Sequence, residues 1–205
     1  QISCVMFNSY YKKIDMQIED GLKVVLSGDA SLYVPKGSYQ FSVKKINSSN
    51  QKGDIYKEYE KLKKELLLEG LFDNNHKKNI PLFPINIGIV TSLDGAVIKD
   101  IINISKRRSP SVNLVVSPSS VQGPGASNQI ITALEKLEDY HKEDNLDVVI
   151  IARGGGSFED LHCFNNELLA RKVFKCSIPI ISAIGHETDF TILDFVSDLR
   201  ASTPS

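Results

Sequence analysis

The chain has 205 residues, with 24 basic and 25 acidic side chains, 41% apolar residues, three cysteines and no tryptophan. This length is sufficient for one or two domains with a buried core, and the composition excludes collagenous, low-complexity and disordered chains. The near-zero net charge also excludes a uniformly basic nucleic-acid coat protein.

Charge is divided unevenly along the chain. Residues 1–80 contain 13 Lys, no Arg and 10 acidic residues, whereas residues 81–205 contain 11 basic and 15 acidic residues. Two regions with such different charge favour two parts with different functions. The chain begins inside an apolar, strand-like stretch, so we expect it to be a core fragment of something longer.

The cysteines indicate the compartment. Cys4, Cys163 and Cys176 are odd in number, far apart and without a CxxC motif. This usage predicts a reduced, cytoplasmic protein without a disulfide framework or zinc knuckle. No secretory leader or uninterrupted apolar span is recognisable, so no membrane partner is expected.

Residues 1–46 are predicted to form a partial small β-barrel. Four segments rich in β-formers are separated by turn residues: Ile2–Phe7, Leu22–Leu26, Ala30–Val34 and Tyr39–Ile46. Aromatic residues and lysines are interleaved with them, as a single-strand binding platform needs, because bases stack and phosphates pair with cations. Tyr and Lys are also ordinary strand and edge residues, so a structural interpretation stays open. The candidate nucleic-acid-binding residues are Tyr10, Lys12, Lys13, Tyr39 and Lys44.

Residues 47–84 are predicted to be a helix and a linker. The helix covers about residues 54–69, with Gly70 as its C-terminal cap, and a stretch rich in Asn, Lys and Pro follows.

From residue 85 to residue 205, apolar runs alternate with helical patterns. The predicted strands are Ile85–Val90, Val112–Val116, Val148–Ala152 and Ile178–Ile184, and the predicted helices cover about 94–106, 127–141, 166–175 and 188–199. Continuous Val/Ile runs separated by helices indicate an α/β domain with an open, mostly parallel sheet and helices on both faces.

A glycine run follows the third of these strands. Arg153-Gly154-Gly155-Gly156-Ser157 is neither a Walker A loop nor GxGxxG. Consecutive glycines allow backbone N–H groups to form an anion-binding nest, Ser157 can cap the next turn, and a guanidinium suits a phosphate. The alternative is a tight turn in which Arg153 pairs with a carboxylate. We predict that this segment contacts a phosphate or phosphodiester.

A second polar loop, Gly185-His186-Glu187-Thr188-Asp189, follows the fourth strand. His186 and Asp189 are three residues apart at a predicted helix start and so face the same way. Three interpretations stay open: His186 carries a proton and Asp189 orients it, both share a divalent cation, or Asp189 only caps the helix. Since ligands bind at the carboxyl ends of strands in open α/β sheets, we expect this loop to converge with Arg153.

Asp100 lies in the first predicted helix of the α/β domain. Its helical neighbours Ala96, Val97 and Ile104 are apolar, so the sequence does not put it on an obviously solvated face. An acid beside an apolar stripe usually marks the edge of the buried face, and the residue pattern alone gives Asp100 little weight.

Several ordered motifs resemble the large-subunit family of bacterial exodeoxyribonuclease VII. They are Val90–Ser92, Val121–Gly123, Arg153–Leu161, Ile184–Asp189 and Ala201–Ser205. The resemblance implies an OB-fold, incomplete here, then a catalytic α/β domain, then helices beyond Ser205 that hold the small subunit. It implies cleavage of single-stranded DNA from either end into short 5′-phosphorylated oligonucleotides. The functional residues that it implies are Asp100, Arg153, His186 and Asp189.

The resulting hypothesis is a phosphodiester hydrolase. Arg153 and the amides of residues 154–156 would hold the scissile phosphate, and His186 would activate water or protonate the leaving group. Asp189 and Asp100 would orient His186 or bind one divalent ion such as Mg²⁺, which the carboxylates permit but do not require. Two alternatives remain: a nucleotide or phospho-sugar enzyme that binds a soluble phosphate, and a non-catalytic scaffold for single-stranded DNA. The truncated chain alone is expected to have weak or no nuclease activity.

Overall fold

The computed structural model describes residues 2–12, 14, 18, 24–33, 37–48, 51–156, 158–187 and 189–204. The chain divides into two compact units, Gln1–Lys57 and Glu58–Ser205. The domain boundaries predicted at residues 46 and 84 stay a prediction.

The first unit contains a small mixed sheet. Its elements are β1 (Ser3–Met6), α1 (Asn8–Tyr11), β2 (Val24–Tyr33) and β3 (Ser38–Ser48). The strand order is β1-β3-β2, in which β1 runs parallel and β2 antiparallel to β3. This small sheet of β-rich segments is the part that the sequence predicted as a partial barrel.

The prediction of two separate strands around Gly28 is wrong. The segments predicted at 22–26 and 30–34 belong to one strand, β2, as far as the described residues extend, and the register shifts between Ser27 and Gly28. A β-carbon at Gly28 would overlap the carbonyl oxygen of Ser42 on the paired strand. This glycine therefore marks a bulge with close backbone approach, where the sequence favoured a turn.

The second unit is built on a five-stranded sheet. Its strands are β4 (Asn86–Thr91), β5 (Asn113–Pro118), β6 (Val148–Arg153), β7 (Ile180–Ile184) and β8 (Leu199–Arg200). All neighbours are parallel, and their order is β5-β4-β6-β7-β8. The predicted parallel α/β sheet is confirmed.

Six helices follow the small sheet in the described residues from 51 onwards, and the first of them begins in the first unit. They are α2 (Gln51–Leu68), α3 (Ala96–Arg108), α4 (Ala126–Glu143), α5 (Phe158–Leu161), α6 (Glu167–Lys175) and α7 (Ile192–Val196), with short 3₁₀ segments at Asn74–His76 and His162–Phe164. Helix α2 ends at Leu68, and Gly70 follows it with φ of 80°, as the predicted cap requires. Among the described residues, no helix combines the length and apolarity needed to cross a bilayer.

Alternation along the strands places apolar side chains on both faces of the sheet. Val90 and Ile151 lie in one buried cluster together with residues of α4, α6 and α7. Ile89 and Ala152 lie in a second cluster, in which Ile98 is contributed by α3. Helices therefore cover both faces, as a parallel sheet requires.

The last predicted helix, at residues 188–199, is wrong in extent. Helix α7 covers only Ile192–Val196, and Ser197 is extended with ψ of 153°. The side chain of Asp198 then accepts the backbone N–H of Ile180, and β8 pairs with β7 from residue 199. Pairing with the sheet edge outweighs the local helical pattern.

The strand order fixes where a ligand can bind. The chain passes from β4 to β5 on one side and then returns to β6 on the other side of β4. A crevice forms outside the carboxyl ends of the strands where the chain reverses its direction in this way. The loops after β4, β5 and β6 meet at that position.

A buried carboxylate fixes the edge of the sheet, and its removal is expected to destabilise the fold. Asp198, 4% exposed, accepts the backbone N–H groups of Lys78 at 2.6 Å and Ile180 at 2.7 Å, and the Lys78 ammonium at 3.1 Å. Asp198→Ala leaves these donors unpaired and should lower the free energy of unfolding, measured in urea, by about 3 kcal/mol.

The matched control is Asp139→Ala, which removes the same charge from an exposed pair with Lys142. Exposed pairs contribute little, so this variant should unfold like the unsubstituted chain. Equal destabilisation by both substitutions would contradict the role given to Asp198.

Candidate active site

Arg153 ends β6 with its side chain held in place. The residue is 7% exposed, and its guanidinium donates to the Gly154 carbonyl oxygen at 3.1 Å and to Gln122 Oε1 at 3.2 Å. The nearest ion pair is longer, at 3.9 Å to the half-exposed carboxylate of Asp160. These hydrogen bonds go to neutral oxygens, so most of the charge of the guanidinium stays available to an anion.

The glycines after Arg153 allow two side chains to approach the backbone. A β-carbon at Gly155 would overlap the imidazole of His186, and one at Gly156 would overlap the guanidinium of Arg153. Neither glycine has a positive φ, so close approach is the reason that glycine is needed here. The sequence suggested another reason for these glycines, a nest of N–H groups that binds an anion. Phosphate binding by these amides stays a prediction.

His186 follows β7 on a tight loop. Gly185, with φ of 68°, starts the loop and donates its N–H to the carbonyl oxygen of Arg153 at 3.1 Å. The His186 N–H donates to Asp189 Oδ2 at 3.0 Å, and the same oxygen lies 3.6 Å from His186 Nδ1. The ring is 69% exposed, so it is oriented on one side and open to solvent on the other.

The predicted convergence of Arg153 and His186 occurs. Residues Arg153 and Ile184 are paired partners on β6 and β7, which puts the two following loops side by side. The imidazole and the guanidinium lie against the consecutive glycines 155 and 156.

An open cleft of about 490 Å³ adjoins these groups. It is lined by the loops after β4, β5 and β6, with Ser92, Gln122 and Gly154 among the lining residues and Arg153 in its wall. Its size suits a ligand as large as a nucleotide, and its position is the one expected from the strand order.

Asp100 lies on α3, whose first turn lines the cleft. It is exposed, although its apolar neighbours did not put it on an obviously solvated face. Spacing puts it on the same face of α3 as Ala96 and Val97, which line the cleft. The structure gives it no hydrogen bond or ion pair with any described residue, so its predicted role in the site stays a prediction.

Divalent-cation binding by Asp100 and Asp189 stays a prediction. No group of three or more His, Cys, Asp or Glu side chains able to hold an ion occurs among the described residues. Asp189 Oδ2 accepts the backbone N–H of His186, and no hydrogen bond or ion pair joins Asp100 to another described residue.

Cys163, near the cleft, is excluded as a nucleophile. Its thiol donates to the Val121 carbonyl oxygen at 3.5 Å, and burial raises the pKa of the thiol to about 11. A thiol with this pKa is protonated at neutral pH, whereas the thiolate is the reactive form.

The first unit presents only part of the predicted nucleic-acid surface. Tyr39 is 74% exposed, Lys12 is exposed and Tyr10 is half-buried. Lys44 pairs with Asp29, and this hydrogen bond raises the pKa of the Lys44 ammonium. Two candidates, Lys13 in this unit and Ser157 in the glycine loop, lie outside the described residues.

Two site residues escaped the analysis of the sequence. Gln122, which binds the Arg153 guanidinium, stands after β5 in a loop that could have been recognised from its position at a strand end. Arg200, which contacts the His186 loop, stands directly after the helix predicted at residues 188–199, so no sequence signal pointed to it.

Comparison with known proteins gives two family matches. Residues 71–205 match the family model for exonuclease VII, large subunit, and residues 1–47 match that for an OB-fold nucleic acid binding domain.

Individual relatives match along the whole chain. The exodeoxyribonuclease 7 large subunits of Clostridium botulinum (strain Okra) and Lachnoclostridium phytofermentans are each 50% identical over 205 residues, which is 100% of this chain and 50% of the relative. That of Halothermothrix orenii is 48% identical over 204 residues, 100% of this chain and 49% of the relative. The chain spans about half the length of the curated relatives it matches.

The contact between Gly155 and His186 can be tested with a pair of alanine substitutions. Gly155→Ala should displace the imidazole, because the added methyl group occupies the position of the ring. Gly154→Ala is the control, since a β-carbon there meets only Val97 Cγ2, at 3.4 Å. The chain has only four histidines, so the ring resonance of His186 can be assigned in a proton NMR spectrum. An unchanged His186 resonance in Gly155→Ala would contradict the geometry.

Proposed function

Because this chain belongs to the exonuclease VII large-subunit family, we propose that its α/β unit is the hydrolytic centre of an exodeoxyribonuclease that acts on single-stranded DNA. The observation that supports this most is the placement of the Arg153 guanidinium and the His186 imidazole against consecutive glycines. The substrate would be cut from either end into short oligonucleotides with 5′-phosphates.

Arg153 binds the scissile phosphate in this proposal. Its donors have the fork geometry that matches two phosphate oxygens, and its burial makes the interaction stronger than it would be in water. Gln122 and the Gly154 carbonyl hold the guanidinium in one orientation before the substrate arrives. Charge that develops on the phosphoryl oxygens then meets a cation that does not need to reorganise.

His186 performs the proton transfer. Water attacks phosphorus and the bond from phosphorus to O3′ breaks, which leaves a 3′-hydroxyl on one product and a 5′-phosphate on the other. An imidazole that is open to solvent either takes the proton from the attacking water or gives one to the leaving O3′. Asp189 orients the ring through the backbone of His186 and faces Nδ1.

The cleft beside Arg153 suits the nucleoside next to the scissile phosphate. Its lining combines apolar side chains, such as Val97, with polar ones, such as Ser92 and Gln122. Mixed lining of this kind accepts a base without selecting one, which fits an enzyme that degrades any sequence.

The first unit is proposed to bind the strand through exposed aromatic rings. Phe7, Tyr11 and Tyr39 are 57%, 56% and 74% exposed, and stacking on such rings tolerates every base. Lys12 adds positive charge for phosphates, whereas Lys44 is already paired with Asp29. Tyr39 is therefore the principal stacking residue.

Several further properties of the complete protein follow from the same proposal. It works in the cytoplasm with the exonuclease VII small subunit, which the rest of the large subunit holds. Asp100 and Asp189 are the candidate ligands if a divalent cation takes part. The 205-residue chain alone has weak or no activity.

Alanine substitution at the two central residues should abolish most of the activity. In the full-length enzyme with its small subunit, Arg153→Ala and His186→Ala should each lower kcat about 10²- to 10⁴-fold, since one removes charge stabilisation and the other acid–base catalysis. The assay follows acid-soluble products from end-labelled single-stranded DNA.

The control is His76→Ala, because His76 is an exposed histidine whose ring contacts Phe174. It should leave kcat unchanged. Normal turnover of His186→Ala would reject the assignment.

The same assay separates the two alternative functions. Inhibition by a mononucleotide without any cleavage of DNA would favour a nucleotide enzyme. Binding of DNA without cleavage by any form of the protein would favour a scaffold.

Binding of single-stranded DNA by this chain should depend on Tyr39 and on salt. Stacking of one base contributes about 1–3 kcal/mol, so Tyr39→Ala should raise Kd about tenfold in a fluorescence anisotropy titration. Tyr56→Ala, which removes a 55% exposed tyrosine from α2, is the control. Affinity should also fall as salt rises. Equal effects of the two substitutions, or affinity independent of salt, would contradict this surface.

A further inference from the structure

Arg200 binds the loop that carries His186 at three points. Its Nη2 lies 3.1, 3.0 and 3.0 Å from the carbonyl oxygens of His186, Glu187 and Asp189. Carbonyl oxygens are stabilised most by a charged donor, and here three of them face one nitrogen. The described part of the loop is therefore wrapped around a single guanidinium.

Other contacts hold the two ends of this loop. At its start, Gly185 donates its N–H to the Arg153 carbonyl oxygen. At its end, Thr191 and Asp194 form a reciprocal capping box at the start of α7. The segment between them carries His186 and Asp189, and its carbonyl groups turn towards Arg200.

Arg200 is itself fixed in position. It lies on β8, where it pairs with Ser182 of β7, and its side chain is 17% exposed. The guanidinium carbon stacks 3.9 Å from the ring centre of Phe190, and Nε lies 3.8 Å from Asp194 Oδ1. Asp194 in turn accepts the Ser182 hydroxyl at 2.6 Å. The cation is therefore held by its place on β8 and by Asp194 of α7, both outside the loop, and Phe190 of the loop itself stacks on it.

We infer that Arg200 is a positioning residue for the hydrolysis: it holds the loop so that the His186 imidazole rests against Gly155, beside Arg153. This inference rests on the proposed function. Arg200 need not touch the substrate, because it acts on the backbone behind His186. Loss of the Nη2 group, whose two hydrogens are shared among the three carbonyl oxygens, would release the loop and let the imidazole move off Gly155. A displacement of about 1 Å of a catalytic group costs about 10²-fold in rate.

The test is a double-substitution cycle in the full-length enzyme with its small subunit, assayed on end-labelled single-stranded DNA. Arg200→Ala should lower kcat about 10- to 100-fold with KM within about twofold. If Arg200 acts through His186, then Arg200→Ala added to His186→Ala should lower the residual rate by less than about threefold. Arg171→Ala, which removes an arginine bound to Glu69 and Glu167, controls for the loss of charge and should leave kcat unchanged.

If kcat of the double variant falls by the product of the two single effects, the inference is overturned, because Arg200 then acts independently of His186. If Arg200→Ala does not fold by circular dichroism, Arg200→Lys takes its place in the cycle. A lysine lacks the planar fork, so kcat should still fall at least about fivefold without multiplying the effect of His186→Ala. Wild-type turnover of Arg200→Lys would equally overturn it. Normal turnover of His186→Ala alone would instead reject the proposed function.

Discussion

The parallel pairing of β6 with β7 is the constraint on which the candidate site depends. Arg153 is the last residue of β6 and is paired with Ile184, the last residue of β7, so both loops begin at the same level of the sheet. The hydrogen bond from the Gly185 N–H to the Arg153 carbonyl oxygen extends this pairing by one residue. A shift of register by one residue would turn Arg153 to the opposite face of the sheet and separate the two functional groups.

Glycines next to the paired strands allow the functional side chains to approach the backbone. The side chains of Arg153 and His186 lie over glycines 156 and 155, at positions where any β-carbon would overlap them. At Gly185 a β-carbon would come within 2.9 Å of Asp189, and the positive φ also disfavours other residues there. These glycines allow the Arg153 guanidinium, the His186 imidazole and the Asp189 carboxylate to lie close to the backbone. Arg200 binds the carbonyl oxygen of His186.

The sequence predicted those parts of the fold that local pattern controls. Continuous Val/Ile runs identified β4 to β7, and the rule that strand ends carry ligands brought Arg153 and His186 together. Prediction was wrong where a residue distant in the sequence determines the structure. Gly28 was predicted as a turn residue, but the close Ser42 carbonyl makes it a bulge. Residues 197–199 were predicted as helix, but the chain leaves the helix there and pairs with the edge of β7 from residue 199. Asp100 shows a third case, because it is exposed although apolar residues flank it on α3. Gln122 stands in a loop at a strand end, a position that points to the site, whereas no local pattern could have identified Arg200, which acts on the backbone of another loop.

The measurement that tests this account most directly is a crystal structure of the full-length protein with a single-stranded oligonucleotide that carries a phosphorothioate at the scissile position. The account predicts one phosphate within hydrogen-bond distance, about 2.7–3.2 Å, of an Arg153 Nη atom, with a His186 ring nitrogen at the same distance from the attacking water or the leaving O3′. A scissile phosphate bound elsewhere on the sheet, or bound to Arg153 while the imidazole faces away from it, would contradict the account.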